Sequence, residues 1–315
     1  MYDLYEDAAA FLIGETPVYL YGVALALGAC LALLMLLVQQ KNRSLPDGTA
    51  LCLTALALPL GLIFARAVYC AFDTNFQSVA SLKSVFMLNA GGYSMAGALL
   101  GAVLAALLTA KIMRVKFSAL MDAFVPALLL FIACERAGEA FTAIGYSRPL
   151  SDDLLKGTFL AQSDEYDAYL RTWLLEELAA MVLVVVNRHM KSKKAGDTAI
   201  KTALLFSGLQ VIFESLRYDQ HLKYSFVGVQ HILSMVLMAA LVIYLAVRVL
   251  KTGKNKGLAV TAICVLPVVA AALVGIEFMI DRTSISHYLL YFVYALLLAL
   301  PTVLGFKLCK KSEDA

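Results

Sequence analysis

Three arginines stand in or beside apolar segments long enough to cross a membrane. Arg66 lies in the stretch GLIFARA, Arg136 in CERAGEAF, and Arg217 in FESLRYD. A guanidinium at membrane depth costs several kcal/mol unless a counter-charge or water compensates it. All three arginines are predicted near the same face of the bilayer, so a shared anionic partner would explain them. A phospholipid phosphate has the charge and the oxygen geometry that arginine binds best.

The same arginines have a second interpretation that involves no ligand. Each side chain can reach the outer head groups along its own methylene stem, or can pair with a neighbouring acid. The acids close enough in sequence are Glu135, Glu139 and Glu214.

The composition indicates an integral membrane protein. The chain has 315 residues, of which 61% are hydrophobic and 16% charged, whereas about a quarter are charged in soluble domains. The net charge of +3 gives no indication of a nucleic-acid partner. None of the six cysteines forms a C-x-x-C pair, and the histidines are too scattered for a metal motif, so neither a metal nor a cofactor is expected. The acidic start MYDLYED does not resemble a cleaved signal peptide.

About nine transmembrane helices are predicted, because apolar runs of roughly 20 residues recur along the whole chain. The fifth is the weakest, since Glu176 and Glu177 stand in its first turn. The predicted spans are 17–38, 49–72, 93–110, 118–136, 172–187, 198–216, 227–247, 257–278 and 287–306.

The charges of the connecting loops predict the orientation. Alternate loops hold 17 of the 26 lysines and arginines, which places those loops in the cytoplasm. An odd number of spans then puts the N-terminus outside and the C-terminus inside. Two outer loops, 73–92 and 139–171, are long enough to be functional or disordered.

A glycine-rich segment opens the third predicted span. Gly91 and Gly92 permit a tight turn, and Gly97 with Gly101 has the small-xxx-small spacing that lets helices approach closely. The start of a helix at the outer leaflet is also a potential anion site. Ser94 lies in a sequence similar to a nucleophile elbow, but that motif belongs to a strand-turn-helix of an α/β sheet. A membrane serine protease using Ser94 with His221 or His231 stays an alternative.

Four further polar residues lie near the outer ends of predicted spans: Tyr21, Glu176, Glu214 and His231. Tyr21 fits an interfacial aromatic anchor or a ligand contact. Glu176 and Glu214 are interpreted as arginine partners rather than proton acceptors, and His231 as a packing histidine rather than a catalyst.

The order of these segments resembles the prolipoprotein diacylglyceryl transferases, from about residue 11 to about residue 247. GLIFARAVY resembles the family's G-A-R-x-x-Y segment, and GGYSMAGALLG its G-G-x-S-x-H-G-G-x-x-G segment. MDAFVPA followed by RAGEAF resembles D-x-x-x-P … G-R-x-G-N-F, FESLRYD resembles E-F-F-R-x-P-D, and QHILS resembles G-Q-I-L-S.

The resemblance implies a function at the outer leaflet of the bacterial cytoplasmic membrane. Members transfer the diacylglyceryl group of phosphatidylglycerol to the lipobox cysteine thiol of prolipoprotein precursors, without a metal. Arg136 and Arg217 match the two functional arginines, Glu139 is assigned to the catalytic set with them, and Tyr21, Gly97 and Glu176 match positions that line or support the site. The predicted substrate-binding set is Tyr21, Arg66, Gly91, Gly92, Ser94, Gly97, Glu176, Glu214 and His231.

The sequence departs from the family pattern at two positions that bear on chemistry. Ala96 replaces the family's histidine, and Glu139 replaces an asparagine. A lipid-binding or lipid-modifying paralogue with another acceptor, or without catalysis, is therefore the main alternative, and an anion transporter is a third. Residues 1–250 are expected to form the transferase-like core, and 251–315 an added two-helix hairpin with a basic tail.

Overall fold

The computed structural model describes residues 9–13, 16–72, 92–150, 154–190, 192–218, 222–224, 227–283 and 285–313. Its helices are α1 Leu20–Asn42, α2 Thr49–Phe72, α3 Met95–Ile112, α4 Phe117–Glu139, α5 Thr172–His189, α6 Asp197–Leu216, α7 Val229–Leu250, α8 Lys256–Arg282 and α9 His287–Glu313. Its strands are β1 Ala9–Ile13, β2 Thr16–Tyr19, β3 Tyr146–Pro149, β4 Ala161–Ser163, β5 Ala168–Arg171, β6 Lys223–Tyr224 and β7 Val227–Gly228.

The helices lie where the apolar runs predict them. Within the described residues, eight of the nine helices are long and apolar enough to cross a membrane, so the prediction of an α-helical membrane protein is confirmed. The remaining helix is α5, which has 18 residues and contains Glu176, Glu177 and Arg188. It is the segment whose sequence signal was weakest, because its charged residues interrupt the apolar run.

Short strands lie outside the helices, mostly in segments predicted as loops. Two of them, β2 and β7, instead cover the first residues of the spans predicted at 17–38 and 227–247. The strands β1 and β2 pair as an antiparallel hairpin, and the order β3-β5-β4 forms a three-stranded antiparallel sheet within 146–171. The turn between β4 and β5 is closed by Asp164, whose carboxylate accepts hydrogen bonds from the backbone N–H groups of Tyr166 and Asp167. These bonds lower the pKa of Asp164 below its ordinary value, because they favour the charged form.

The chain divides into two compact units. The first comprises Met1–His189 and Leu216–Gln230, and the second Met190–Ser215 and His231–Ala315. In the first, Leu36, Leu53, Ala105, Leu120 and Ala127 belong to a buried apolar cluster contributed by α1 to α4. This cluster fixes the helices whose ends carry Tyr21 and Arg136.

Glycines bring α2 and α3 of the first unit close together. A Cβ atom at Gly97 would lie 2.8 Å from the Cα of Ala65, and one at Gly101 would lie 2.8 Å from the backbone nitrogen of Gly61. Such contacts leave no room for a side chain, which is the close approach that the small-xxx-small spacing predicts.

The core of the second unit contains apolar residues from before and after residue 250. Leu204 of α6 and Val242 and Leu245 of α7 pack in one buried cluster with Leu273 of α8 and Tyr294 of α9. The C-terminal helix pair is therefore packed into this unit by its apolar side chains.

Candidate functional site

Arg136 stands in the last turn of α4 and is almost completely buried, with 2% of its surface exposed. Its Nε lies 2.9 Å from Glu176 Oε2 and 3.3 Å from Glu135 Oε2, and its Nη1 donates to Glu139 Oε1. Buried charges are stable only when they are paired, and this guanidinium has three carboxylate neighbours.

Arg217 reaches the same carboxylates from a distant part of the chain. It follows α6 directly. Two backbone contacts connect this segment to β3: an isolated bridge between Arg217 and Ser147, and the hydrogen bond from Tyr218 N to Tyr146 O. Its Nη1 donates to Glu176 Oε1 at 3.2 Å, and its Nη2 donates to Glu139 Oε1 at 3.3 Å. Glu139 and Glu176 thus each contact both guanidiniums.

We name this group the arginine–glutamate cluster; it consists of Arg136, Arg217, Glu135, Glu139 and Glu176. It lies where α4 ends and α5 begins, because successive antiparallel helices bring those termini to one end of a bundle. The predicted pairing of Arg136 with Glu135 and Glu139 is present. Two arginines on one pair of acids is an arrangement that also suits a phosphate, since both ligands present oxygens to planar guanidinium forks.

Tyr21 closes the cluster from α1. Its hydroxyl donates to Glu135 Oε1 at 3.1 Å. A Cβ atom at Gly138 would lie 3.0 Å from Cδ2 of the Tyr21 ring, so the glycine lets the tyrosine lie against α4. This contact connects the start of α1 to the end of α4.

Met95 and Gln230 extend the surroundings of Arg136. The Met95 sulfur contacts Arg136 Nη2, and Gln230 Nε2 lies 3.5 Å from the same sulfur. The sequence interpretation had not assigned Met95 a role. A methionine beside an arginine carries no pattern of its own, so only the fold could have identified it.

Arg66 belongs to α2, and its side chain reaches the turn that leads into α3. It is buried, its Nη1 donates to Gly92 O at 3.0 Å, and its guanidinium stands 5.8 Å from the centre of the Tyr69 ring. Gly92 has φ +76°, a conformation that glycine adopts without strain. The predicted site residue Gly91 lies outside the described residues.

Ser94 caps the start of α3. Its side chain accepts a hydrogen bond from the backbone N–H of Gly97 at 3.4 Å, and its own N–H donates to Ala65 O at 3.1 Å. These contacts are those of an N-cap residue. Ala96, the third residue after Tyr93, is buried near the start of α3.

Glu214 and His231, both predicted for the site, belong to the second unit. Glu214 accepts a hydrogen bond from Gln210 at 3.3 Å. His231 Nε2 lies 3.1 Å from the hydroxyl of Tyr294, which also donates to Glu277 Oε1 at 3.0 Å. Tyr294 and Glu277 were not predicted to take part, because they lie in the hairpin beyond the matching motifs.

One group in the described part of the chain has the residue types of a metal site. Asp197, Cys309 and Glu313 place their ligand atoms within 4.8 Å of one another. Asp197 Oδ2 however lies 3.1 Å from Arg248 Nη2, and Glu313 Oε1 lies 3.1 Å from Lys201 Nζ. These cations neutralise the carboxylates, so the group holds the ends of helices in the second unit together.

The long apolar helices and the buried ionic cluster define a multi-pass membrane protein. The model of the prolipoprotein diacylglyceryl transferase family matches residues 8–247, and the chain belongs to this family of transferases.

Individual relatives give the same result. The chain is 26% identical over 257 residues to a phosphatidylglycerol–prolipoprotein diacylglyceryl transferase of Bacillus cytotoxicus, covering 79% of this chain and 94% of the relative. It is 28% identical over 242 residues to the enzyme of that name in Shouchella clausii, with 74% and 87% covered. The enzyme of that name in Bacillus licheniformis is 28% identical over 246 residues, with 75% and 91% covered.

Proposed function

We propose that this chain transfers the diacylglyceryl group of phosphatidylglycerol to the lipobox cysteine thiol of prolipoproteins at the outer leaflet. The observation that carries the proposal is the convergence of Arg136 and Arg217 on shared carboxylates in a buried site. The names of the relatives, which specify phosphatidylglycerol and prolipoprotein, support the choice of substrates.

The reaction needs a stabilised leaving group. The thiol sulfur forms a bond to the diacylglyceryl carbon that carries the phosphate, the carbon–oxygen bond breaks, and glycerol phosphate leaves with the bonding electrons. Arg136 and Arg217 neutralise the charge that develops on the phosphate, and bidentate guanidinium contacts suit that task. The sulfur attacks as a thiolate, so a group must accept its proton.

The other site residues have supporting roles in this proposal. Tyr21 positions Glu135 through a hydrogen bond, and Glu176 positions both arginines through ion pairs. The start of α3 is proposed to be shaped by Arg66, Gly92, Ser94 and Gly97. Gly91 is proposed as a further substrate-binding residue, and Glu139 as a member of the catalytic set. Glu214 and His231 are proposed as further substrate-binding residues.

The proposed topology has nine crossings, an outer N-terminus and a cytoplasmic C-terminus. The basic residues in alternate loops support it. We further propose that residues 1–250 are the transferase core and 251–315 an added hairpin. The family match, which ends at residue 247, supports this division.

A second candidate function is a lipid-modifying paralogue with a different acceptor. The buried Ala96 supports it, because a methyl group can neither accept a proton nor organise a site through hydrogen bonds, the two roles that the resemblance suggests for the family's histidine.

A transfer assay separates the two candidates. Purified full-length protein is incubated with labelled phosphatidylglycerol and a lipobox peptide, beside the same peptide with serine in place of cysteine. A thioether product with the cysteine peptide alone supports the transferase. Lipid binding that depends on Arg136, without any thioether product, would instead support the paralogue.

A further inference from the structure

We propose that Glu139 is an internal anion that competes with the phospholipid phosphate for Arg136 and Arg217. The inference rests on the function proposed above and adds a determinant of lipid affinity to it. Glu139 would hold both guanidiniums until the lipid displaces its carboxylate.

The contacts of Glu139 resemble those of a bound phosphate oxygen. Its Oε1 alone is shared by Arg136 Nη1 and Arg217 Nη2. Glu176 differs, because it gives Oε2 to Arg136 and Oε1 to Arg217, and so braces the two arginines with both of its oxygens. An incoming phosphate oxygen would therefore replace Glu139 more easily than Glu176.

The helix itself does not favour a carboxylate at this position. Glu139 is the last residue of α4, where the negative end of the helix dipole disfavours an anion. The two arginines, rather than the helix, thus stabilise the buried charge. The backbone after Glu139 leaves the helix in a turn, with Thr142 N donating to Glu139 O.

The second oxygen of Glu139 lies against Gly145. A Cβ atom at Gly145 would stand 2.8 Å from Glu139 Oε2 and 2.8 Å from the Cβ of Trp173. The glycine therefore leaves space beside the carboxylate, and Trp173 borders that space. Because the chain contains one tryptophan, its fluorescence reports specifically on the surroundings of Glu139.

Competition of this kind lowers apparent affinity. When the competent state is a minor fraction of the population, the observed Kd rises in inverse proportion to that fraction. A self-occupied state favoured about 10 to 1 therefore weakens lipid binding roughly tenfold. A substitution that removes the charge of Glu139 but keeps its shape should therefore lower the observed Kd for the lipid about tenfold.

The test is a titration of the purified full-length protein with radiolabelled short-chain phosphatidylglycerol, in which bound lipid is counted after equilibrium dialysis and Trp173 fluorescence is recorded in parallel. Glu139→Gln is the main variant and Glu135→Gln the matched control. Both remove one carboxylate charge from the cluster, but Glu135 contacts Arg136 and, outside the cluster, Tyr21, whereas Glu139 contacts both arginines. The expected result is a Kd about tenfold lower for Glu139→Gln, a smaller change for Glu135→Gln, and an emission change in the wild type on lipid binding.

Two results would overturn the inference. One is an affinity of Glu139→Gln that equals or falls below that of Glu135→Gln. The other, which does not depend on the folding of a variant, is lipid binding to the wild type without any change in Trp173 emission. If Arg136→Ala still abolishes binding, the proposed function survives either result. Absence of binding by the wild type and every variant would overturn both.

Discussion

At the residue scale, Arg136 and Arg217 are 81 positions apart in the sequence and meet on Glu139 and Glu176. The cost of burying a guanidinium predicts that each needs an anion nearby, and the adjacent acids Glu135 and Glu139 are visible in the sequence. The role of Gly145 was not predictable, since the collision that a side chain would cause there arises from residues brought together by folding.

Gly145→Ala should destabilise the protein more than an alanine at another left-handed glycine. Gly145 has φ +87°, and its Cβ would meet Glu139 and Trp173, whereas Gly157 has φ +75° with nothing within 4 Å. Gly157→Ala should cost about 1 kcal/mol through backbone strain, and Gly145→Ala about 2–3 kcal/mol because overpacking adds to it. Thermal unfolding in detergent compares the two variants. Equal losses of stability would show that the space beside Glu139 is not restricted.

At the element scale, the helices were predictable and the strands were not. Apolar runs of membrane length locate α1 to α4 and α6 to α9, because such runs have few stable alternatives in lipid. The strands β3, β4 and β5 have three or four residues each, too few to show a period of two. Their pairing holds Ser147 and hence Arg217, so this part of the site escaped prediction.

The packing interface between α2 and α3 should tolerate alanine in place of one glycine but not in place of another. A Cβ at Gly101 would lie 2.6 Å from the carbonyl carbon of Leu60, while one at Gly61 would be 3.7 Å from Ala98 O. Gly101→Ala should cost about 1–3 kcal/mol because backbone atoms cannot move aside easily, and Gly61→Ala should be nearly neutral. Melting temperatures of the two variants in the same detergent measure this difference. A smaller loss for Gly101→Ala than for Gly61→Ala would contradict the packing described.

At the scale of the whole molecule, the sequence match and the packing divide the chain differently. The family match ends at residue 247, but the second unit combines α6 and α7 with α8 and α9 around one buried cluster. Family motifs record residues with chemical roles, and the last predicted site residue, His231, lies before the end of the match. The packing of α8 and α9 depends on complementary apolar faces, which no motif records.

Deletion of residues 251–315 should therefore destabilise the remaining chain. The deletion removes packing partners of Leu204, Val242 and Leu245, each fully buried in the intact protein. Since helices in lipid associate through close van der Waals packing, the loss of these contacts should lower the stability of the remaining helices. We would measure the yield of folded protein and its melting temperature after extraction in mild detergent. The full-length chain, prepared in parallel, is the control. A truncated protein as stable as the full chain would show that the hairpin is dispensable.

The most direct test of the central claim is single-turnover transfer by Arg136→Lys and Arg217→Lys. Lysine keeps the charge but loses the planar fork that contacts two oxygens at once. We expect each variant to insert and to melt near the wild-type temperature, while thioether formation from phosphatidylglycerol slows about 100-fold or more, since misplacement of a positioning group has an effect of that order. Wild-type rates in both lysine variants would contradict a phosphate clamp formed by these two arginines.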